Sequence, residues 1–449
     1  MKKTVKLYLL FCVMGWLAVS AEAQTTERAF SLEEATQYAM ENSYVLHNSR
    51  QDVVKAQKEV WKTITTGLPQ VSGSANYNKF LNLPVSLIPA EFFGGEPGTY
   101  QPVKFGQDYN SDFGFTVNQK IFDGSYIVGV GSSQIYLNLA KQTAEKSEID
   151  IRDAVAQAYY MVLTGEANKK VMQDNLVNVQ EMYKETKAYY DNGFREEQDV
   201  DQMKLMVKNA ETELVKANRE ITIAKVVLKY TMGFDLAQEI TLSDSLNKFV
   251  DPLLAGKKVT EGFDLMKHVD YRLAQTNLQV SEKLLKLQKV AYLPTLNGFF
   301  SYTKTAYGNK ANLFRSGVSW FPSSLIGFQL SVPIFNSGQK MLKVQQAKID
   351  LDKATTQRKL AEATLQKDYL TAVADMESAL GKFDNDKENR ELAAKILDKT
   401  KIKFKNGITS STELSQIETQ YIQSHGSYIS SILQLLQAKL KLQKATGNL

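Results

Sequence analysis

The segment Ile121-Phe122-Asp123-Gly124 recurs later in the chain as Ile334-Phe335-Asn336-Ser337-Gly338. Two further pairs repeat at nearly the same offset of 213 or 214 residues: Tyr190-Asp191-Asn192-Gly193 with Phe404-Lys405-Asn406-Gly407, and Met232-Gly233 with Thr446-Gly447. Leu68-Pro69 recurs as Leu293-Pro294 at an offset of 225, so the first copy carries about a dozen extra residues. Self-similarity at a fixed offset indicates that a unit of roughly 200 residues is duplicated.

Both copies have the same predicted order: a helix, a β-rich window with Pro and Gly, a very long helix, an Asn-Gly turn and a second long helix. We expect the first helix to begin at Ser31, which has Glu34 three residues later as in a capping box, and to run to about Thr66. The matching helix of the second copy is expected from about Glu261 to Tyr292. The predicted organisation begins with a signal peptide over 1–23. A first repeat follows over 24–233, with a hairpin at about 68–123 and a helix pair over 125–232. An irregular equatorial connection over 234–260 leads to a second repeat over 261–449, with a hairpin at about 293–335 and a helix pair over 337–446.

The N-terminal residues have the pattern of an export signal. Lys2, Lys3 and Lys6 precede an apolar run that ends near Val19, and Ala21-Glu22-Ala23 is a small-x-small cleavage site. The only cysteine, Cys12, would leave with the signal, so the mature chain is expected to have no disulfide and no thiol nucleophile.

Composition and charge exclude several functional classes. The 449 residues are 43% apolar, which excludes wholesale disorder. Their net charge of +5 is not concentrated in a basic run, so nucleic acid is not an expected partner. The three histidines, His47, His268 and His425, lie far apart without acidic companions at ligand spacing, and no catalytic triad or phosphate loop is present. We therefore expect no metal, no cofactor and no enzymatic activity.

The two β-rich windows each predict one hairpin with a long loop. Phe113, Phe115 and Val117 alternate with small or polar residues, and Ile326, Phe328 and Leu330 repeat the pattern; the partner strands are expected around 69–80 and 294–305. Aromatic residues make up 10 of 56 residues in the first window and 9 of 43 in the second, which is typical of strands flanked by interfacial girdles. A sheet with one face on a soluble core alternates in the same way. Four strands cannot close a membrane barrel, so a membrane location requires an oligomer, with eight strands in a dimer or twelve in a trimer.

The segments between the windows predict helices too long for a globular core. Residues 125–191 and 337–405 contain no proline and would reach about 100 Å at roughly 1.5 Å per residue. Apolar stripes at coiled-coil spacing, such as Leu414, Ile417 and Tyr421, predict that these helices pack along one another.

Taken together, these motifs resemble those of the TolC-like outer-membrane efflux proteins. The resemblance covers essentially the whole mature chain: the duplication, Leu-Pro before each hairpin, Ile-Phe-Asp/Asn-(Ser)-Gly after it, and an aromatic-x-x-Gly turn followed by Asp199-Val200-Asp201-Gln202 or Glu413-Leu414-Ser415-Gln416. It implies a mainly α protein with membrane β structure: a trimeric 12-stranded β-barrel, four strands per chain, continuous with a long periplasmic α-helical barrel.

The resemblance also implies a function, partners and sites. The expected function is a passive outer-membrane duct of a tripartite efflux system, with outer-membrane lipid around it, a periplasmic adaptor (membrane fusion) protein and an inner-membrane transporter as partners. The turns at the periplasmic tip, which meet the adaptor in this family, correspond to Asn192, Gly193, Phe194, Asn406, Gly407 and Ile408. The candidates for the constriction or gate are Glu413, Gln416, Asp199 and Asp201. Gln416 departs from an acidic pattern, and Phe404 and Thr409 replace a tyrosine and an arginine, so a strongly latched gate is not expected.

Two other functions remain open from the sequence. The same duct would also serve type I protein secretion. In a different class, a soluble periplasmic coiled-coil scaffold or adaptor would place the hairpins in a small sheet. The sequence does not identify the cargo.

Overall fold

A computed structural model describes residues 28–255 and 262–449. The predicted signal peptide over 1–23 lies outside the described residues, as do Glu261 and the end of the connection, residues 256–260. Within the described residues, no helix is both long and apolar enough to cross a membrane.

The first half of the chain contains five strands and four helices in the order β1, α1, α2, β2–β5, α3 and α4, with one 3₁₀ turn over Ala90–Phe93. Their bounds are β1 (Arg28–Phe30), α1 (Leu32–Asn42), α2 (Tyr44–Thr65), β2 (Gln70–Lys79), β3 (Val85–Pro89), β4 (Tyr100–Lys104), β5 (Tyr109–Phe122), α3 (Gly124–Asp191) and α4 (Glu197–Met232). The 68-residue α3 confirms the first long helix predicted from the sequence.

The second half repeats this plan after a short connection. The elements are β6 (Ile240–Leu242), α5 (Leu246–Ala255), a 3₁₀ turn over Leu265–Lys267, α6 (Val269–Val290), β7 (Thr295–Gly308), β8 (Trp320–Ser331), α7 (Gln339–Lys405) and α8 (Ser411–Ala445). The 67-residue α7 confirms the second predicted long helix.

Three sequence predictions of local structure were wrong. The expected helix from Ser31 to Thr66 is two helices, because the extended backbone of Ser43 (ψ 126°) ends α1 after the last helical hydrogen bond, from Ser43 N–H to Ala39 O. The capping box at Ser31 and Glu34 is confirmed. The helix expected from Glu261 begins at Val269, after a 3₁₀ turn.

The third error concerns the connection over 234–260, expected to be irregular. Its described part contains β6 and α5, and β6 pairs in parallel with β1. The two strands are tied to α3 by Tyr159, whose buried hydroxyl lies 2.9 Å from both Phe30 O and Asp244 Oδ2. Asp244 also accepts a hydrogen bond from Leu32 N at 2.8 Å, so the connection orders the start of α1. A three-residue strand such as β1 or β6 carries too few residues to show an alternating pattern.

The principal sheet has four antiparallel strands in the order β2-β5-β7-β8. The two predicted hairpins are confirmed: Gln70–Lys79 pairs with Tyr109–Asn118, and Thr295–Ala306 pairs with Trp320–Ser331. Strands β5 and β7 also pair, which joins the hairpins into one sheet. The long loop of the first hairpin contains a further hairpin of β3 and β4, which sequence reasoning missed.

The described residues form two compact units. One contains the residues up to Ser49, Glu145–His268 and Thr364–Leu449, and the other contains Arg50–Ala144 and Val269–Ala363. The sheet belongs to the second unit. In the first unit, two apolar clusters lie along the helices: one includes Val155, Leu228, Phe383 and Leu435, and the other includes Val179, Met203, Leu397 and Leu414.

Candidate functional site

The two turns between the long helices have the same backbone geometry. Gly193 (φ +80°) and Gly407 (φ +70°) are both left-handed, a conformation that costs glycine little and other residues more. The N–H of Gly193 donates to Tyr190 O at 2.8 Å, and the N–H of Gly407 donates to Phe404 O at 3.0 Å. The next residue in each turn donates five residues back, so both long helices end in a Schellman motif. The duplicated sequence therefore produces the same turn twice.

Each turn presents one apolar side chain to solvent. Phe194 is 78% exposed and Ile408 is 72% exposed. Asn192 and Asn406 are also exposed, and the Asn192 amide donates to Ala188 O at 2.7 Å. The six residues predicted for the tip are therefore accessible in a single chain.

Arg195 connects the first turn to the second helical hairpin. Its guanidinium carbon lies 4.4 Å from the centre of the Phe404 ring, and its Nη2 donates to the carbonyl oxygen of Phe404. Its Nη1 lies 3.6 Å from Oδ2 of Asp199. Phe404 lies in the last turn of α7, where a cation also interacts favourably with the helix dipole. The arrangement joins α7 to the start of α4 within one chain.

This contact gives Phe404 a partner. From the sequence, Phe404 and Thr409 replace a tyrosine and an arginine, and a strongly latched gate is not expected. In the structure the ring face and the backbone carbonyl of Phe404 are both partners of Arg195. Asp199, one of the gate candidates, pairs with the same guanidinium. The sequence shows an arginine two residues after the turn glycine, but it does not indicate the partner of that arginine.

The second turn has local contacts at the start of α8 and one ion pair to α3. Ser410 is the N-cap of α8, and its Oγ accepts the N–H of Glu413 at 3.2 Å. The carboxylate of Glu413 accepts a hydrogen bond from the Thr409 hydroxyl. Lys405 forms an ion pair with Glu185 on α3 at 3.0 Å. Ser410 therefore caps α8, and Glu413 lies in its first turn, where a carboxylate complements the helix dipole, a structural role that the sequence also allows for it.

The four gate candidates are not brought together in one cluster. Asp199 pairs with Arg195 and Glu413 with Thr409, whereas Asp201 and Gln416 are exposed. In the part of the chain that the structure describes, no hydrogen bond or ion pair joins one of these four residues to another. Three or more His, Cys, Asp or Glu side chains arranged to hold a metal ion are also absent from the described ranges.

The sheet exposes large apolar side chains. On β8, Ile326, Phe328 and Leu330 are 74%, 73% and 64% exposed, and on β5 the side chains of Phe113 and Phe115 are 45% and 41% exposed. Phe113 lies against Trp320 with ring centres 4.9 Å apart, and Phe115 lies against Phe300 and Tyr302. Exposed apolar surface of this extent marks an interaction with a membrane or a partner. Strands β2 and β8 form the two edges of the sheet.

Comparisons with known proteins agree with this architecture. The family model described as outer membrane efflux protein matches residues 35–233 and 266–448, most of the chain. The outer membrane protein VceC of Vibrio cholerae superposes with a TM-score of 0.69 at 15% identity, covering 93% of this chain and 96% of that one. The CmeC outer membrane channel of Campylobacter jejuni gives 0.71 at 16% identity, covering 96% and 90%. These structures show that the chain has the TolC-like fold.

One curated relative extends the comparison to sequence. The solvent efflux pump outer membrane protein SrpC of Pseudomonas putida is 22% identical over 321 residues, which are 69% of this chain. The match spans 65% of the length of that relative. The family match locates the chain in the outer membrane, from which the TolC-like fold extends into the periplasm. On these grounds the chain belongs to the outer membrane efflux protein family.

Proposed function

We propose that this chain is the outer-membrane channel component of a tripartite efflux system. Three copies form a twelve-stranded β-barrel continuous with a periplasmic α-helical barrel, which acts as a passive exit duct. An inner-membrane transporter supplies the energy and a periplasmic adaptor connects the two. The duct needs no catalytic residue, so we infer that the chain is not an enzyme.

One observation carries the proposal: a four-stranded sheet with two open edges and exposed apolar side chains. In hydrocarbon every backbone N–H and C=O must be paired, because water is absent. The edges β2 and β8 must therefore pair with neighbouring copies. Barrels in bacterial outer membranes start at about eight strands, and three copies of this sheet supply twelve.

The two halves of the chain support a threefold assembly built from repeats. We propose that residues 24–233 and 261–449 are two copies of one unit, joined by the connection over 234–260. Each copy contributes one hairpin to the sheet and one pair of long helices. Three chains would then present six similar units around one axis.

The exposed turn residues support a docking role for the tip. We assign the adaptor contact to Asn192, Gly193, Phe194, Asn406, Gly407 and Ile408, and retain Glu413, Gln416, Asp199 and Asp201 as residues near the constriction. A photocrosslinking amino acid at position 194 or 408 should trap the adaptor in intact cells. The same amino acid at Leu370, a helix position that is also well exposed (61%), should not. Equal trapping from all three positions would refute the assignment.

The names of two relatives favour small molecules over proteins as cargo. SrpC is named a solvent efflux pump protein and TtgI of Pseudomonas putida a toluene efflux pump protein. We propose export of small organic compounds, and protein secretion is the competing outcome. Deletion of the gene should sensitise cells to organic solvents without removing a secreted protein from the medium.

The channel itself is tested with purified protein. Detergent-extracted material should have the mass of three chains and conduct ions in planar bilayers; a monomer without conductance would refute the duct.

Phe328→Arg, on the exposed apolar face, should lower the yield of inserted protein, since a cation at the bilayer midplane costs about 2–4 kcal/mol. Gln329→Arg, on the alternate face of the same strand, is the matched control and should insert normally.

A further inference from the structure

A recess of about 370 Å³ lies between α3, α4 and α8 in the first unit. Its lining is mixed: Met172, Met206, Ala210 and Ile422 form the apolar part, and polar residues such as Asn209, Ser415 and Thr419 form the rest. This volume lies in the range of small-molecule sites, about 300–1,000 Å³. Met172 and Met206 have flexible thioether side chains, which adapt to ligands of different shape.

A buried carboxylate lines the recess. Glu418 is only 7% exposed, and its Oε1 accepts a hydrogen bond from Asn175 Nδ2 at 3.0 Å. Among the described residues its carboxylate has no other hydrogen bond. Charged groups are almost never buried without an ionic partner, because burial removes their hydration. Lys401 on α7 attracts the Glu418 carboxylate electrostatically but forms no ion pair with it. Glu213 on α4 also lines the recess, and its side chain is exposed.

We propose that this recess binds a small organic ammonium ion, with Glu418 as its counter-ion. The apolar walls would hold the organic part, and the carboxylate would hold the charged nitrogen. A hard divalent cation fits less well, since it requires about six oxygen ligands. Ligand binding in this recess does not require the proposed duct function, so the two proposals can fail separately.

Protons and the ligand compete for the same carboxylate. Burial raises the pKa of Glu418, and the Asn175 hydrogen bond and Lys401 oppose this shift. The groups that face it are Asn175 from α3, Glu213 from α4 and Lys401 from α7. Acidification protonates Glu418 and removes the counter-ion. The affinity for an ammonium ligand should therefore fall as the pH is lowered.

The probe is benzylamine, which is cationic at neutral pH, and benzyl alcohol is its neutral counterpart. Calorimetric titration of the full-length protein in detergent at about pH 7.5 should give an affinity for benzylamine about tenfold or more above that for benzyl alcohol, as expected for a charge-assisted hydrogen bond. Equal affinities for the two probes would overturn the proposal.

Two variants identify the counter-ion. Glu418→Gln keeps an acceptor for Asn175 and should lower the benzylamine affinity about tenfold or more. Glu213→Gln, at the exposed lining, should lower it less than about threefold. Equal losses, or none at Glu418, would overturn the assignment.

A measurement on the unmodified protein covers the case in which Glu418→Gln does not fold. Its benzylamine affinity should fall as the pH is lowered through the raised pKa of Glu418, while the benzyl alcohol affinity stays constant. A benzylamine affinity independent of pH would remove Glu418 from the site.

Discussion

Helices α4 and α8 occupy equivalent places in the two repeats and have 36 and 35 residues, but their buried faces differ. The buried face of α4 is apolar from Met203 to Leu228 and reaches an ionisable residue only at Lys229, which donates to two backbone carbonyls near the helix end. The buried face of α8 contains Glu418 and His425 in its middle, between the apolar residues Leu414 and Ile432. Duplication has preserved the length and the turn of the helix, but not the chemistry of its core.

The turns before these helices differ as well. The first turn is held by the long-range contacts of Arg195, and its N-cap, Glu196, has no side-chain capping bond. The second turn has local contacts from Ser410 and Thr409 and one ion pair to α3. The shared glycine geometry sets the path of the chain, and different side chains stabilise it in each repeat. Substitutions at five positions separate what the repeats share from what distinguishes them.

The largest effect is expected at the shared glycines. Gly193→Pro or Gly407→Pro imposes a φ near −65° on a residue at +80° or +70° and removes an N–H that closes the turn. Each variant should lower the stability of its turn by about 3 kcal/mol or more and abolish pump-dependent export, while membrane insertion persists. Export assays with membrane fractionation measure both.

The control is Gly381→Ala within α7, where an added Cβ meets open space. That variant should export normally. Unchanged export in both proline variants would remove the tip from the coupling mechanism.

His425 should make the second repeat sensitive to acid. Its ring is 2% exposed, and neither ring nitrogen has a hydrogen-bond partner among the described residues. Burial, and then the neighbouring Arg390, lowers its pKa from 6.5 to about 4. Because the unfolded chain binds this proton more tightly, stability should fall as the pH drops from 6.5 towards 4, by roughly 3 kcal/mol at full protonation.

Thermal unfolding of the wild type and of His425→Leu across this pH window measures the effect. The difference in unfolding temperature between the wild type and His425→Leu should change with pH, because the leucine side chain has no proton to bind. His47→Gln, at an exposed position, is the matched control and should follow the wild type. A constant difference at all pH values would contradict the assignment to His425.

Loss of the Arg195 contact should loosen the first turn and the end of α7 against which it packs. Arg195→Met removes an ion pair, a contact with the Phe404 ring and a hydrogen bond to a helix-end carbonyl, with an expected cost of about 2 kcal/mol. Hydrogen exchange of the amides near Phe404 and Gly193 should accelerate. Lys405→Met breaks a more exposed ion pair and should cost less than about 1 kcal/mol. Equal exchange in both variants would show that Arg195 has no special role.

The smallest effect is expected at the helix caps. Ser410→Ala should destabilise the start of α8 by about 1 kcal/mol, since it removes the acceptor for the Glu413 N–H. Glu196→Ala should have almost no effect on the start of α4, because Glu196 forms no capping bond. Exchange rates of residues 411–414 and 197–200 distinguish the two; similar acceleration in both would contradict this comparison.

The sequence predicted the long helices, both hairpins and the two turns, because these depend on local patterns: proline-free helical stripes, alternation and an Asn-Gly pair. The break at Ser43 was missed, and so were the strands β1 and β6, which Tyr159 on α3 joins through Phe30 and Asp244. Arg195 was also missed as a site residue. Its partner Phe404 lies 209 positions away, and no local pattern identifies such a contact.

The amino-acid sequence by itself determined the duplication, the element order and the backbone of both turns, because each follows from residues within a few positions of one another. Only the tertiary structure decided which side chains meet across the helices: Arg195 with Phe404, and Asn175 with Glu418. It also decided that Glu418 and His425 are buried. A helical stripe specifies which face is turned inward, but the solvation of a charge there depends on the distant helices packed against it.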